Sequence, residues 1–376
     1  MKKFLTFILV IGMIFSLAAC GGNVDYANMT ADDLLKDIKD QQNVTLDEFV
    51  ELVSTYSNVR ITDDLELEEN ITTEAIKKLK ENGAKMPSPE EYVEPLLKSE
   101  TPQVRGYAIS NVGSLLGVSD GHIAAAQELL KTEKDPYVIR CAVDALANEG
   151  GKNAEVGKFL LNAAKNENAR VRRQAAYALG NSWSKDLDGA VDAIITLMSD
   201  SDADVRNAAY RYAGKLADER VVEPIAQMLK NPDEVAFHSN GVEGLAYLWY
   251  DFPFHENTSE AAYRATMDYL KTTPRTKDIP SWTAISSLKN KNDSHYNEWR
   301  AKATYFNADE FAQIMTEIIK DENANSFARS GAVENIAAHC SKETFDSLAP
   351  VIDGLTDKDA KSIQDTYKSQ AEKLNQ

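Results

Sequence analysis

The sequence predicts an all-α protein, an α-solenoid of stacked helix pairs that follows an irregular helical N-terminal portion. Three observations support this prediction. Apolar residues recur at helical spacing in successive segments, and alternating strand patterns are nearly absent, with residues 61–67 as the one modest candidate. A short motif also returns about every 34 residues, which is the period of a helical repeat.

The first residues have the pattern of an export signal. Lys2 and Lys3 precede the apolar run 4–15, which is too short to cross a membrane as a stable helix. The run leads into Leu17-Ala18-Ala19-Cys20, which resembles the lipobox of bacterial lipoproteins. In that family the cysteine thiol is lipidated, and cleavage leaves the cysteine as the first mature residue.

This resemblance implies a signal peptide over residues 1–19, lipid attachment at Cys20, and a tether over residues 20–28. We therefore expect the protein to be anchored by lipid to a bacterial membrane, facing outside the cytoplasm. An ordinary secretory signal, in which the cysteine is incidental, is the alternative.

The charge of the chain restricts its partners. The formal net charge is −18, and removal of Lys2 and Lys3 with the signal brings it to −20. Binding to nucleic acid relies on clustered Lys and Arg, so this composition argues against such a partner. The anionic membrane surface should also repel the body of the protein, which then stands away from it on the tether.

Helix-capping motifs divide the chain into segments. Thr45-Leu46-Asp47-Glu48 is a capping box within the N-terminal helical segment, residues 29–87. Ser88-Pro89-Glu90-Glu91 combines a cap residue, a first-turn proline and two first-turn carboxylates, and it opens the predicted repeats of residues 88–250.

The repeat motif lies at the start of the second helix of each predicted pair. The valines at positions 104, 138, 171 and 205 are spaced by 34, 33 and 34 residues. Segments 168–172 and 202–206 each carry a polar cap residue, then Val-Arg three positions later, then alanines; segment 135–140 is a weaker copy with its arginine shifted by one position. The pattern resembles HEAT repeats of the short, HEAT-like kind.

The resemblance extends over residues 90–374, with His238 and Arg329 at the arginine position of later, degenerate copies. It implies an architecture and not an activity. It also implies that each arginine pairs with an aspartate of a neighbouring repeat. Arg172 and Arg206 are nevertheless candidate partner-binding residues, since an arginine ladder on a concave face would suit an anionic ligand.

One acidic stretch resembles the beginning of a calcium loop. Residues 199–206 read SDSDADVR, with carboxylates at alternate positions. A calcium loop that started at Asp200 would need Gly at its sixth position and Glu at its twelfth, where this chain has Val205 and Arg211. We interpret the stretch as a turn in which Asp202 caps the following helix.

The sequence shows no catalytic or metal-binding motif. Its five histidines are scattered singly, with no His or Cys partner at ligand spacing. Nucleophile-elbow, phosphate-loop and dinucleotide motifs are also missing. We therefore expect no cofactor, no metal and no catalytic residue. Cys141 and Cys340 are too far apart to indicate a disulfide framework, and both are expected to be buried.

The repeat period stretches in an aromatic-rich region, residues 251–306. Helix starts at Val222, Ala262 and Phe311 are 40 and 49 residues apart, and 12 of the 62 residues from 245 to 306 are aromatic, against 8% of the whole chain. Insertions in solenoids often carry the binding face, and aromatic residues are favoured interface anchors. The alternative is that they fill an irregular core. The candidate partner-binding residues here are Trp249, Tyr250, Trp282 and Trp299.

The C-terminal segment, residues 307–376, is predicted to contain further repeats and a polar cap over residues 343–374. Together these features favour an exported, lipid-anchored HEAT-repeat scaffold that is not catalytic. Its expected partners are the membrane, through lipid on Cys20, and a protein or envelope polymer. The alternatives are an envelope enzyme, and a lipoprotein that binds a saccharide or small solute through the aromatic region.

Overall fold

The computed structural model describes residues 26–112, 120–250, 258–272 and 299–375. Within these ranges the chain is helical and contains no β-strand, so the all-α prediction is confirmed. The strand candidate at residues 61–67 is an isolated antiparallel bridge between Ile61 and Leu67. Contacts divide the chain into two compact units, Met1–Ala108 and Ile109–Gln376.

Over its described residues, 26–108, the first unit contains four complete α-helices and the start of a fifth. These are α1 (Ala31–Leu35), α2 (Leu46–Ser54), α3 (Ile71–Glu81), α4 (Pro89–Leu97) and α5 (Pro102–Val112). Both predicted capping boxes are present. At the start of α2 the Thr45 hydroxyl accepts from the Glu48 amide while the Glu48 carboxylate accepts from the Thr45 amide, and Ser88 and Glu91 do the same at α4.

Aromatic packing joins α4 and the start of α5 to the N-terminal helices. Tyr92 lies against Phe49 with ring centroids 4.8 Å apart, and Tyr107 stacks on Tyr56 at 5.2 Å. The Gln103 side chain also donates to the backbone carbonyl of Val59. For this reason the contact boundary follows Ala108, whereas the capping motifs placed the start of the repeats at residue 88.

Over the described residues, the second unit continues with helices, most of them in pairs. They are α6 (Asp120–Leu130), α7 (Pro136–Leu146), α8 (Ala154–Ala163), α9 (Ala169–Leu179), α10 (Ala190–Leu197), α11 (Ala203–Tyr212), α12 (Val222–Met228), α13 (His238–Trp249), α14 (Glu260–Thr272), α15 (Ala308–Lys320), α16 (Ser326–His339), α17 (Lys342–Asp346), α18 (Ala349–Asp353) and α19 (Ala360–Leu374).

The helices pack as a two-layer repeat. The first helices α8, α10 and α12 each pack on the helix that follows, and the second helices α7, α9, α11 and α13 pack on one another in that order. The repeated valines Val138, Val171 and Val205 are completely buried between the layers. An apolar stripe on each short helix can be buried only against its neighbours, so stacking generates a continuous core.

Glycine permits the closest approach between two second helices. A β-carbon on Gly214, just beyond α11, would collide with the backbone carbonyl of Gly244 in α13, and one on Gly244 would collide with the carbonyl of Tyr210. At the C-terminal end, α19 buries only Ala360 and Ile363 among its residues, which gives it the polar outer surface expected of a cap.

Candidate functional site: inter-repeat clasps and a tyrosine face

The motif arginine of α9 bridges two repeats. Arg172 donates from Nε and Nη2 to the two carboxylate oxygens of Asp200, at 2.7 and 2.8 Å. Its Nη1 donates to the backbone carbonyls of Asn166 and Glu167, which end the preceding turn. One guanidinium therefore fixes its own turn to the next one through a bidentate pair.

A similar pairing, in which one arginine donates two hydrogen bonds to one carboxylate, recurs twice, and we call each of the three pairs an inter-repeat clasp. Arg206 donates to Glu234 from Nε and Nη2, at 3.2 and 2.8 Å. Arg329 donates from Nη1 and Nη2 to the two oxygens of Asp357, at 2.8 and 2.9 Å. In all three clasps the acid lies 28 residues after the arginine. This equal separation reflects the repeat geometry.

Hydrogen bonds from the arginines stabilise the charged form of the clasp carboxylates. The Arg172 guanidinium lowers the pKa of Asp200, and Arg329 lowers the pKa of Asp357 to about 2. Arg172 and Arg206 keep only 15% and 21% of their side chains exposed. The structure thus places both in pairs between repeats, and not on an open surface where they would hold an anionic ligand.

Two carboxylates of the SDSDADVR stretch, those of Asp200 and Asp202, make contacts within the fold. Asp200 is the clasp acid of Arg172, and Asp202 caps α11 by accepting from the backbone amides of Asp204 and Val205 at 2.9 and 3.1 Å. The interpretation as a capped turn is confirmed. Over the described ranges, no group of three or more His, Cys, Asp or Glu side chains is arranged to hold a metal ion.

The described aromatic candidates lie in the core. Trp249, Tyr250 and Trp299 are 1%, 5% and 0% exposed, and the two indole rings are 5.5 Å apart at their centroids. The Trp249 indole N–H donates to the Thr266 hydroxyl at 3.1 Å. These three side chains are therefore not surface anchors, and the core-filling alternative describes them. Trp282 and Cys20 lie outside the described residues.

A different set of aromatic residues is accessible, on the second helices. Tyr177, Tyr212 and Tyr247 belong to α9, α11 and α13 and are 35 residues apart in each step. Tyr177 is 36% exposed and the other two are partly exposed. The Tyr177 and Tyr212 rings meet edge to face at 5.4 Å, and Lys215 Nζ lies 4.9 Å from the Tyr212 centroid and 4.7 Å from that of Tyr247.

Polar pairs continue this surface along the same helix faces. Residues three, four or seven positions apart share one face of a helix, and Arg170 and Gln174 thus lie on the face of Tyr177. Neighbouring helices are connected by side-chain contacts, which we list here: Gln174 to Asp144 at 2.8 Å, Arg170 to Asp204 at 2.8 Å, Asn240 to Asn207 at 2.6 Å, and Arg211 to Glu243 at 3.2 Å.

We call this surface, centred on Tyr177, Tyr212 and Tyr247, the tyrosine face. Its rings are held by contacts within the protein: Tyr247 donates its hydroxyl proton to Glu243 at 3.0 Å, and Lys215 separates two of the rings. A binding surface that is already ordered loses little entropy when a partner docks. The 35-residue interval between these tyrosines is visible in the sequence and is the signal that indicates this face.

Comparison with known proteins identifies the repeats. Residues 90–180 and 157–239 match the HEAT-repeat family. The chain therefore contains HEAT repeats, and the resemblance drawn from the Val-Arg motif is confirmed for residues 90–239. No curated protein sequence matches the chain.

Several solved structures are similar in fold. They include an engineered protein (16% identity, 76% of this chain and 78% of that chain covered, TM-score 0.38). Another is the complex of CpcE and CpcF of phycocyanin lyase from Nostoc sp. PCC7120 (16% identity, 76% of this chain and 96% of that chain covered, TM-score 0.39). A third contains Kap95p, which binds RanGDP (12% identity, 96% of this chain and 53% of that chain covered, TM-score 0.46). These likenesses concern the fold alone.

Within the part of the chain that the structure describes, no helix combines the length and apolar character needed to span a membrane.

Proposed function

We propose that the protein is a lipid-anchored HEAT-repeat scaffold, exported from the cytoplasm, that holds a protein partner on its tyrosine face. The observation that carries the proposal is the placement of Tyr177, Tyr212 and Tyr247 on three successive second helices. Tyrosine offers a large, rigid contact area with a polar tip, which is why it is enriched at protein interfaces.

The surroundings of the rings favour a protein over a small ion. The cationic groups beside them already have partners: Arg211 pairs with Glu243, Arg170 pairs with Asp204, and Lys215 lies against two rings. A face with internally balanced charge resembles the interior of a protein interface, where unpaired charges are depleted.

The location rests on the first residues of the sequence. The run Leu17-Ala18-Ala19-Cys20 supports export and lipid attachment at Cys20, and the net charge of −18 supports a body that stays clear of an anionic membrane surface. Trp249 and Trp299 are buried, so these two rings of the stretched region are not open to stack on a saccharide. The scaffold role that we propose is non-catalytic.

Location and binding are tested separately. Metabolic labelling with an alkyne fatty acid, followed by detergent partition, should show lipid on the wild-type chain and none on Cys20→Ser. If the Cys20→Ser chain is labelled and membrane-bound to the same degree, the anchor proposal is wrong.

For binding, the full chain is cross-linked in the envelope and compared with a Tyr177→Ala/Tyr212→Ala/Tyr247→Ala variant of unchanged helicity. The matched control carries Tyr→Phe at the same three positions, since it keeps the rings. We expect the same identified partner with wild type and the Phe control, and at least about tenfold less with the Ala variant, because three interface anchors are removed. Equal recovery with the Ala variant would exclude the tyrosine face.

A further inference from the structure

Among the described residues, the junction between α13 and α14 has no arginine clasp. His238 occupies the arginine position at the start of α13, and the residue 28 positions later, where the clasps have a carboxylate, is Thr266. Thr266 is buried, donates to the Ala262 carbonyl and accepts from Trp249. The junction between α13 and α14 is therefore held by neutral groups in place of an ion pair.

His238 is enclosed in this junction. It is 2% exposed, and its ring lies edge-on to Tyr269 of α14 with centroids 5.4 Å apart. Its Nε2 is 3.2 Å from the carbonyl oxygen of Asn231, to which the neutral imidazole donates. Its Nδ1 is buried and has no hydrogen-bond partner among the described residues, and the same holds for the Tyr269 hydroxyl.

We propose that His238 makes the junction between α13 and α14 an acid-sensitive joint, closed when the imidazole is neutral and loosened when it is protonated. Protonation would place a proton on Nδ1, which has no hydrogen-bond partner among the described residues, and would add a charge to a buried position. Both effects cost free energy in the closed state and are relieved when the junction opens to water.

The groups that face His238 do not remove this cost. From α12 the Met228 backbone carbonyl favours the charged form of the ring, and from α14 the facing group is the Tyr269 ring. Glu234, on the turn before α13, is the charged group that acts on the imidazole, and Arg206 of α11 already binds one of its oxygens. The other oxygen of Glu234, Oε2, has no hydrogen-bond partner among the described residues, and the charge of this carboxylate offsets only part of the burial cost of a protonated His238.

The direction of the His238 equilibrium agrees with this geometry. Burial lowers the pKa of His238 below its ordinary value, against smaller raising effects from the Asn231 and Met228 carbonyls and from Glu234. A lowered folded-state pKa means that the closed junction binds fewer protons than the open one. Stability of the junction is thus complete above the ordinary histidine pKa and declines as the pH falls below it.

Hydrogen exchange at pH 7.5 and 5.5, corrected for the intrinsic exchange rates, tests the joint in the full chain. Peptides from α13 and α14 should lose protection at the lower pH relative to peptides from α9 and α11. The loss should be at most about tenfold, since an opened histidine with a pKa of about 6.5 gains no more than that between neutrality and pH 5.5.

Two variants make the test decisive. His238→Gln can still donate to Asn231 but cannot be protonated. In this variant α13 and α14 should lose no more protection at pH 5.5 than α9 and α11 do. His238→Arg carries a charge at both pH values and has no carboxylate at position 266 to pair with. Its α13 and α14 peptides should therefore be poorly protected from exchange at both pH values. Equal pH dependence in wild type and His238→Gln would overturn the proposal, as would a wild type whose protection falls uniformly along the second unit.

Discussion

Arg329 and Asp357 join two successive repeats through a bidentate ion pair, with Nη–Oδ distances of 2.8 and 2.9 Å. Arg329 is completely buried, and its Nε also donates to the Ile319 carbonyl at 2.7 Å. Each of the three guanidinium nitrogens therefore donates a hydrogen bond. The pair fixes α16 to the turn that precedes the C-terminal helix α19.

Removal of one partner from this buried pair should strongly destabilise the second unit. Arg329→Met leaves the Asp357 carboxylate without its counter-charge, and we expect a loss of about 3–5 kcal/mol in the free energy of unfolding. The matched control is Arg170→Met, whose partner Asp204 is 55% exposed, and there the expected loss is below about 1 kcal/mol. Urea unfolding followed by circular dichroism measures both.

A double variant separates the charge effect from lost packing. Arg329→Met/Asp357→Leu removes both charges, so it should recover most of the stability that Arg329→Met loses. A double variant as unstable as Arg329→Met would show that the stability is lost through side-chain packing and not through an uncompensated buried charge.

The same clasp predicts how stability depends on acid. The pKa of Asp357 in the folded protein is about 2, below its ordinary value of 3.8, because Arg329 donates to the carboxylate. The folded state thus binds fewer protons than the unfolded state. The contribution of the pair is complete above about pH 4 and is lost as the pH falls from there through 2.

Urea midpoints at pH 7, 4, 3 and 2 should therefore fall more steeply for wild type than for Asp357→Asn in the acidic range. The difference between the two proteins isolates this carboxylate from the many others that titrate there. Parallel curves would contradict the assignment of a depressed pKa to Asp357.

Replacement by alanine should have very different effects on stability at Trp249 and at Trp183. Trp249 is 1% exposed and donates to Thr266, so Trp249→Ala should cost about 3–5 kcal/mol of stability. Trp183 is 46% exposed on the turn after α9, and Trp183→Ala should change stability by less than about 0.5 kcal/mol. Thermal unfolding of the two variants tests whether Trp249 is buried and Trp183 exposed. Equal losses of stability in the two variants would contradict this assignment.

The two described cysteines should be unreactive in the folded protein. Burial raises the pKa of Cys141, and burial together with the negative charge of Asp309 raises the pKa of Cys340 to about 11. Because the thiolate is the reactive form, a Cys20→Ser chain should consume almost no thiol reagent at pH 7.5 until it is unfolded, and two equivalents afterwards. Prompt reaction of either thiol in the native chain would show that its surroundings are open.

Local features of the helices were predictable from the sequence because they depend on residues close in the chain. The capping boxes at Thr45 and Ser88 and the cap at Asp202 each need only three or four consecutive positions. The repeat period was predictable for a related reason: each repeat buries the same apolar stripe against the next, so selection for packing leaves a regular spacing.

The candidate site was less predictable, because exposure is a property of packing between segments distant in the chain. Aromatic composition singled out Trp249 and Trp299, which the fold encloses, while Tyr177 has the same chemical character and remains accessible. The arginine motif was equally ambiguous. Arg172 has a clear position in the repeat, but only stacking shows that its partner is Asp200.

The sequence by itself determined the helical class, the repeat period, the helix caps and the signal-like first residues, since these are properties of composition and short-range spacing. The tertiary structure alone decided that the motif arginines serve as clasps, that the described tryptophans of the stretched region form a core, and that three tyrosines share an open face. It also decided that His238 replaces a clasp with a neutral contact. These outcomes depend on which residues meet when helices stack, and helical periodicity does not specify that.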